Sequence, residues 1–122
     1  MTDTEKNKRL VERLFEVIYG QGDNLHIFDE VVAEDYIQHN PIAEQGRAGL
    51  RDLFTKAIPL PLPDELSKDG TQHVNLIAEG DLVVRHELRT NGMLVDIYRV
   101  ENGLLQEHWD AFRPAEGYEC PF

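Results

Sequence analysis

The feature that most limits the fold of this chain is the sequence after Gly70, where strand-like runs alternate with short turn sequences. The runs cover residues 71–78, 82–89, 93–100 and 104–113, and they are separated by Glu79-Gly80-Asp81, Thr90-Asn91-Gly92 and Glu101-Asn102-Gly103. Glycine and asparagine at such positions favour tight hairpin turns. Four strands joined by three hairpins form an antiparallel meander, so we expect this half of the chain to be one sheet.

The residues before the sheet show helical spacing instead. Apolar residues follow a helical period over 3–19, 24–32 and 47–57, with Asp3 or Thr4 as the cap of the first helix. A short extended piece, 36–40, ends at Pro41. The segment 58–63 has prolines at alternate positions, which predicts a stiff connector that is either a surface linker or a lid over a pocket. Together these elements predict a single α+β domain over residues 1–122, with N-terminal helices packed in a curved antiparallel or mixed sheet.

The charge of the chain excludes several classes of partner. Its 122 residues include 23 acidic and 12 basic ones, which gives a formal charge of −11 at pH 7. This charge repels phosphate backbones and anionic bilayers, so we expect neither nucleic acid nor a membrane as a partner, and a neutral or cationic small molecule fits better. Cys120 is the only cysteine, which excludes an internal disulfide, and the polar N-terminus lacks the apolar run of a signal peptide. We therefore expect a cytoplasmic protein.

Turn length decides which polar residues of neighbouring strands meet, because side chains alternate between the two faces of a strand. Three-residue loops in the last two hairpins place His86 opposite Asp96 and Asp96 opposite His108. The same register puts Asp110 one diagonal step from Asp96, and a tight first hairpin puts His73 opposite His86. The sequence therefore predicts a row of ionisable side chains across four strands.

This register gives the sheet a pocket face and an outer face. The pocket face carries the ionisable row with Tyr98 and Phe112 in an apolar wall, a composition that suits a small-molecule pocket. The outer face carries Trp109 and several arginines, among them Arg85, which predicts a homodimer through this face. The alternative is a two-residue turn in either hairpin, in which case Asp96 leaves the row and Trp109 takes the inward place opposite it.

Several kinds of chemistry fit such a row. An aspartate inside a strand is unfavourable, and burying it requires a partner, which His108 or His86 supplies. Asp96, His108 and Asp110 are the candidate catalytic residues, because carboxylates and imidazoles on one face suit acid–base catalysis. The histidines and aspartates also offer ligands to a metal ion, although they form no ligand-spacing motif. A pocket that binds a small molecule without reaction is the non-enzymatic alternative.

Three stretches of the chain resemble a known family. They are Tyr36-Ile37-Gln38-His39-Asn40-Pro41, followed by Gly46 and Gly49; Asp96-Ile97-Tyr98-Arg99-Val100-Glu101-Asn102-Gly103; and Glu107-His108-Trp109-Asp110. They resemble the SnoaL-like polyketide cyclases of the NTF2-like superfamily, and the similarity extends from the first helix to the last strand. The resemblance implies a conical α+β barrel with the pocket inside the curved sheet, and aldol ring closure without a cofactor.

The resemblance also implies roles for individual residues. An acidic residue on the last strand is the acid or base of the characterised cyclases, and Asp110 is the matching position. Asp96 stands where these enzymes have a further pocket histidine, and His39 and Asn40 match the rim of the pocket. Together with His73, His86, Tyr98 and Phe112, which the predicted register places on the pocket face, His39 and Asn40 are the expected substrate-binding residues.

The sequence thus leads to one working hypothesis. Asp110 removes or returns a proton next to a carbonyl group, His108 and His86 relay that proton, and His39 with Tyr98 polarises the carbonyl. Isomerisation and hydration are related reactions that the same residues would support, and the superfamily contains enzymes of both kinds.

Overall fold

A computed structural model describes residues 2–20, 25–57 and 73–119. Its elements are helix α1 (Asp3–Tyr19), helix α2 (Ile27–Val31), strand β1 (Val32–Gln38), helix α3 (Gly46–Asp52) with a following π-helical turn (Leu53–Ala57), and strands β2 (His73–Glu79), β3 (Leu82–Arg89), β4 (Gly92–Glu101) and β5 (Leu104–Pro114). The predicted connector 58–63 lies outside the described residues. Three helices and five strands confirm the predicted α+β class.

Helix α1 has the bounds predicted from its apolar stripe. Val11, Leu14 and Ile18 lie on one face and are buried. The helix is capped by Thr2 and not by Asp3 or Thr4: the Thr2 hydroxyl accepts from the Glu5 N–H at 3.2 Å, and the Glu5 carboxylate accepts from the Thr2 N–H at 3.1 Å. This capping box satisfies two backbone donors that the first turn leaves free.

The five strands form one sheet in the order β1-β5-β4-β3-β2. Strands β2 to β5 are the predicted antiparallel meander, and β1 pairs in parallel with β5. Strand β1 starts four residues before the predicted extended piece and places its C-terminal end beside the middle of β5. The inner face of the sheet packs on the helices, and the shared core includes Val11, Leu14, Phe28, Val83, Tyr98 and Leu105. Within the described residues, no helix is both long enough and apolar enough to cross a bilayer.

The hairpin between β3 and β4 has a two-residue loop, so the predicted three-residue loop is wrong. Arg89 pairs with Gly92 around Thr90 and Asn91. Gly92 is a strand residue at φ +149°. A Cβ atom there would lie 2.3 Å from the carbonyl oxygen of Arg113, so both the positive φ and the close approach of β5 require the glycine.

The hairpin between β4 and β5 also has a two-residue loop. Glu101 pairs with Leu104, and the loop residues Asn102 and Gly103 both have positive φ, as a type I′ turn requires. A bulge then leaves Gln106 without a partner on β4. The extra residue in the bulge compensates for the residue that the short loop lacks. Beyond the bulge, the side chains of β4 and β5 therefore lie on the predicted faces of the sheet.

These turns change which polar residues meet. In the β3–β4 pair, Arg85 and not His86 lies opposite Asp96. In the β2–β3 pair, His86 lies opposite Asn75, and His73 lies two pairs further along, opposite Leu88, so the predicted His73–His86 opposition is wrong as well. One missing loop residue has turned β2 and β3 over relative to β4.

Candidate active site

A polar cluster on the inner face is centred on the buried imidazole of His108. Its Nε2 lies 2.8 Å from Oδ1 of Asp96 and 3.8 Å from Oδ2 of Asp110. Asp110, and not His108, is directly opposite Asp96 in the ladder, and His108 pairs with Tyr98. The predicted neighbours have thus exchanged places, but the predicted contact between Asp96 and His108 is confirmed.

Strand β1 and the bend after it contribute one side chain each to this cluster, Gln38 and Asn40. The amide oxygen of Gln38 lies 2.8 Å from Nδ1 of His108, on the side opposite Asp96. The amide nitrogen of Asn40 donates to both oxygens of Asp110 at 3.1 Å. Both contacts follow from the parallel pairing, which places Gln38 next to His108.

Two buried phenols enclose the imidazole. The ring centroid of Tyr98 lies 4.6 Å and that of Tyr36 lies 6.4 Å from the ring of His108. Burial, and after it the negative charge of Asp96, raises the pKa of both hydroxyl groups well above their usual value. Both tyrosines therefore remain neutral proton donors at any physiological pH.

The three ionisable residues differ in their contact with solvent. The side chains of Asp96 and His108 are each 7% exposed, whereas that of Asp110 is 18% exposed. Oδ2 of Asp96 is buried and has no hydrogen-bond partner within the described residues. Asp96, His108 and Asp110 each have one potential ligand atom, and these three atoms lie within 4.8 Å of one another. The same three residues would therefore hold a metal ion if one were bound here. A buried oxygen without a partner is costly, so this position is a candidate contact for a bound group.

A second polar cluster lies on strand β3, next to the first. The carboxylate of Glu87 is fully buried and accepts from Nη1 of Arg85, Nε of Arg89 and the hydroxyl of Tyr19. The Arg85 guanidinium also stacks on the ring of Phe15, 3.8 Å from its centroid. A cleft of about 640 Å³ between α1 and strands β2 and β3 is bordered by Arg85, Tyr19 and Phe15, a size suited to a small molecule.

Several residues predicted for the pocket lie on the outer face of the sheet. His73 and His86 point outward with their strands, and the ring of His86 contacts the amide of Asn75 at 3.3 Å. They cannot touch a ligand held by Asp96 or His108, because the sheet separates them. Phe112, by contrast, shares the inner face with Asp110, as predicted.

His39 is also misplaced by the sequence prediction. Its Nε2 lies 2.7 Å from the Glu107 carboxylate, and its ring stacks on that of Trp109 with centroids 5.0 Å apart. Trp109 therefore lies on the outer face, as expected. Hydrogen bonds from His39 and then Arg99 lower the pKa of Glu107. His39 belongs to this outer cluster and not to the pocket rim.

Sequence reasoning missed two residues of the site, Tyr36 and Gln38. The signal was present in Tyr36-x-Gln38-x-Asn40, where alternate residues share one face of a strand. Applied to this stretch, the alternation groups Gln38 with Asn40 and sends His39 to the opposite face, as the structure shows.

Solved structures with a similar fold include three NTF2-like proteins. A candidate ketosteroid isomerase from Kribbella flavida DSM 17836 is 24% identical, with a TM-score of 0.63 over 99% of this chain and 86% of that one. A candidate polyketide cyclase from Acidithiobacillus ferrooxidans is 17% identical, with a TM-score of 0.63 over 92% and 91%. An NTF-2 like protein of unknown function from Burkholderia xenovorans LB400 is 17% identical, with a TM-score of 0.62 over 96% and 88%. At these identities the likeness shows the NTF2-like fold alone.

The sequence comparison is more specific than the structural one. No curated protein matches the chain. The family profile described as SnoaL-like domain, however, matches residues 11–108, a span from the middle of α1 to His108 on β5. The chain therefore belongs to the SnoaL-like domain family.

Proposed function

We propose that the chain is a cofactor-independent enzyme that moves a proton on a small, neutral carbonyl compound, in a reaction of the aldol-cyclisation or isomerisation type. The observation that carries the proposal is the buried Asp96–His108 pair beside the more accessible carboxylate of Asp110. Enzymes that shift protons next to a carbonyl need a base and an acid in one water-poor pocket. Membership of the SnoaL-like family and the cyclase and isomerase neighbours agree with this class of reaction.

Asp110 is the base in this proposal. The amide nitrogen of Asn40 donates to both of its oxygens, and this contact fixes the orientation of the carboxylate. The larger exposed fraction of Asp110 makes it the group of the cluster that a substrate reaches first. Removal of the proton beside a carbonyl would leave Asp110 neutral and place negative charge on the carbonyl oxygen.

The phenols would stabilise the negative charge on the carbonyl oxygen, and Asp96 would bind a hydroxyl group of the substrate. The Tyr36 oxygen accepts a hydrogen bond from the Gln38 amide at 3.4 Å, which leaves the phenolic proton to be donated to a carbonyl oxygen. The free Oδ2 of Asp96 would accept from a hydroxyl or enol group. These roles replace the ones that the sequence predicted for His39 and His86.

Deuterium exchange tests the proposal without knowledge of the natural substrate. The protein is incubated in D₂O with a panel of cyclic and linear diketones and unsaturated ketones, and loss of the proton signals beside the carbonyl is followed by proton NMR. We expect exchange with at least one compound, and Asp110→Asn should slow it by about 100- to 10,000-fold. Asp81→Asn, at an exposed turn, is the matched control and should exchange like the wild type.

Two outcomes would contradict the proposal. Full activity in Asp110→Asn would remove Asp110 from its role as base. Absence of exchange across the panel, together with a tightly bound and unreacted ligand in the purified protein, would favour the non-catalytic binding module.

We also infer that two copies associate through the outer face of the sheet, defined by Ile77, Val84, Leu88, Val95, Ile97 and Trp109. Ile77 is 60% and Leu88 is 42% exposed, so this face offers apolar surface to a partner. Exposed apolar patches of this kind are typical of protein interfaces.

A further inference from the structure

The orientation of the Gln38 side chain is fixed by its own backbone surroundings. The backbone N–H of Asn40 donates to the Gln38 amide at 3.1 Å. A backbone N–H is always a donor, so the atom that faces it must be the amide oxygen. The other amide atom, the nitrogen, then donates to the Tyr36 hydroxyl.

This orientation determines the tautomer of His108. The same Gln38 oxygen lies 2.8 Å from Nδ1 of His108, and an oxygen can only accept at this distance. Nδ1 must therefore carry a proton. In a neutral imidazole the other nitrogen, Nε2, is then unprotonated and carries a lone pair.

That lone pair meets a carboxylate. Nε2 lies 2.8 Å from Oδ1 of Asp96, and two acceptors at this distance repel each other. The contact is favourable only if one proton lies between them. Either the imidazole is doubly protonated and Asp96 is ionised, or the imidazole is neutral and Asp96 is a carboxylic acid.

We propose that Gln38 is a positioning residue that holds His108 with a proton on Nδ1, and thereby makes Asp96 and His108 retain one further proton between them at neutral pH. This goes beyond the proposed function, because it assigns the proton content of the site. The catalytic role of this proton rests on the proposed function. In that reaction the Asp96–His108 pair would be the acid that returns a proton, while Asp110 is the base.

The charged and titratable groups around the pair explain how it can keep this proton. Asp110 on β5 favours a positive charge on His108, whereas Arg85 on β3, opposite Asp96, opposes it. Tyr98 on β4 and Tyr36 on β1 are neutral and exclude water. The Arg85 side chain is turned to Glu87 instead of Asp96, which leaves the proton as the counter-charge of Asp96.

A proton also fits the distance better than a zinc ion. Zinc bonds of about 2.1 Å at a tetrahedral angle separate two ligand atoms by about 3.4 Å. The nitrogen and oxygen of the pair are 2.8 Å apart, which is the length of a charge-assisted hydrogen bond.

The proton positions can be read by NMR without any substrate. Long-range proton–nitrogen correlation spectra of uniformly ¹⁵N-labelled wild-type protein are recorded from pH 6 to pH 9, and the His108 signals are assigned with His108→Gln. We expect Nδ1 to be protonated throughout. A wild-type spectrum with an unprotonated Nδ1 at pH 7 would overturn the proposal by itself.

Three variants separate positioning from packing. Gln38→Leu removes the acceptor, so we expect the proton to move to Nε2, where it can bind Asp96 without an extra proton, and Nδ1 to become unprotonated at pH 7. Gln38→Glu keeps an acceptor at this position and should restore the protonated Nδ1. Gln106→Leu is the matched control, since Gln106 is another buried glutamine of the sheet and binds Asp35 instead of His108.

The exchange assay and the NMR spectra test the proposed function and the role of Gln38 separately. If any ketone of the panel exchanges, Gln38→Leu should slow exchange at least about 10-fold and Gln38→Glu should recover most of the rate. If the NMR result holds but no ketone exchanges, the proposed function fails and the assignment of Gln38 stands. If Gln38→Leu and Gln106→Leu change the His108 spectrum alike, the proposal is wrong.

Discussion

Tyr19, Tyr36 and Tyr98 show how single buried groups link the site to stability. Burial, and then the charge of Glu87, raises the pKa of Tyr19 to about 12. Burial and Asp96 raise the pKa of the other two hydroxyls well above their usual value. In the unfolded chain a tyrosine ionises near pH 10. Between these two values the unfolded state can lose a proton that the folded state keeps, so the folded state loses stability as the pH rises.

We therefore predict that the free energy of unfolding is constant with respect to these tyrosines below about pH 10 and falls above it. Tyr19 alone should contribute a loss of about 1–2 kcal/mol between pH 10 and pH 12. Urea unfolding at pH 8, 9, 10 and 11 measures the effect, and Tyr19→Phe serves as the comparison because it removes one ionisable group. Parallel curves for the wild type and Tyr19→Phe over this range would contradict the prediction.

At the scale of the elements, local patterns in the sequence were sufficient for the bounds of some helices and strands but not of α2, β1 and α3. Helix α1 and strand β3 have the predicted limits, because an amphipathic stripe and two flanking turns define them locally. The face of each side chain was harder to predict. It depends on the number of loop and bulge residues between neighbouring strands. Because the Thr90-Asn91 turn is one residue shorter than predicted, His86 lies on the outer face and Arg85 on the inner face.

The Asp96–His108 contact was predicted correctly for a partly wrong reason. The loop between β4 and β5 is one residue shorter than predicted, and the bulge at Gln106 compensates for it. The contribution of β1 could not be found from the turns, because a parallel pairing joins residues far apart in the chain. Gln38 and Asn40 were therefore recognised as partners of His108 and Asp110 only in the structure.

The corrected register makes a prediction for two adjacent residues of β3. Arg85→Ala should destabilise the protein by about 3–5 kcal/mol, because it leaves the buried Glu87 carboxylate without one of its cations. His86→Ala should change the free energy of unfolding by no more than about 0.5 kcal/mol, because its side chain lies on the partly exposed outer face. Urea unfolding of both variants at two protein concentrations measures the difference. The register predicted from three-residue loops places His86 on the inner face and Arg85 on the outer face, so it requires the larger loss of stability in His86→Ala.

At the scale of the whole molecule, the apolar outer face and the net charge act against each other. Apolar residues such as Ile77 favour association of two copies, whereas a formal charge of −11 on each copy opposes it. Because salt screens repulsion between exposed charges but leaves apolar burial intact, the inferred dimer should become tighter as ionic strength rises.

We predict that Ile97→Glu, which places two like charges at the centre of the outer face, converts the dimer into a monomer at micromolar concentration. Ile42→Glu is the matched control, because Ile42 is 40% exposed and lies in the turn after β1, outside the strands that form this face. Sedimentation velocity at about 50 mM and 500 mM NaCl, a range over which the screening length shortens severalfold, measures both effects, and near-ultraviolet circular dichroism checks that the fold is intact. A wild-type protein that stays monomeric at both salt concentrations, or a dimer that Ile97→Glu does not disturb, would show that this face serves another purpose. The inner-face assignments of Asp96, His108 and Asp110 would be unaffected, because the sheet separates the two faces.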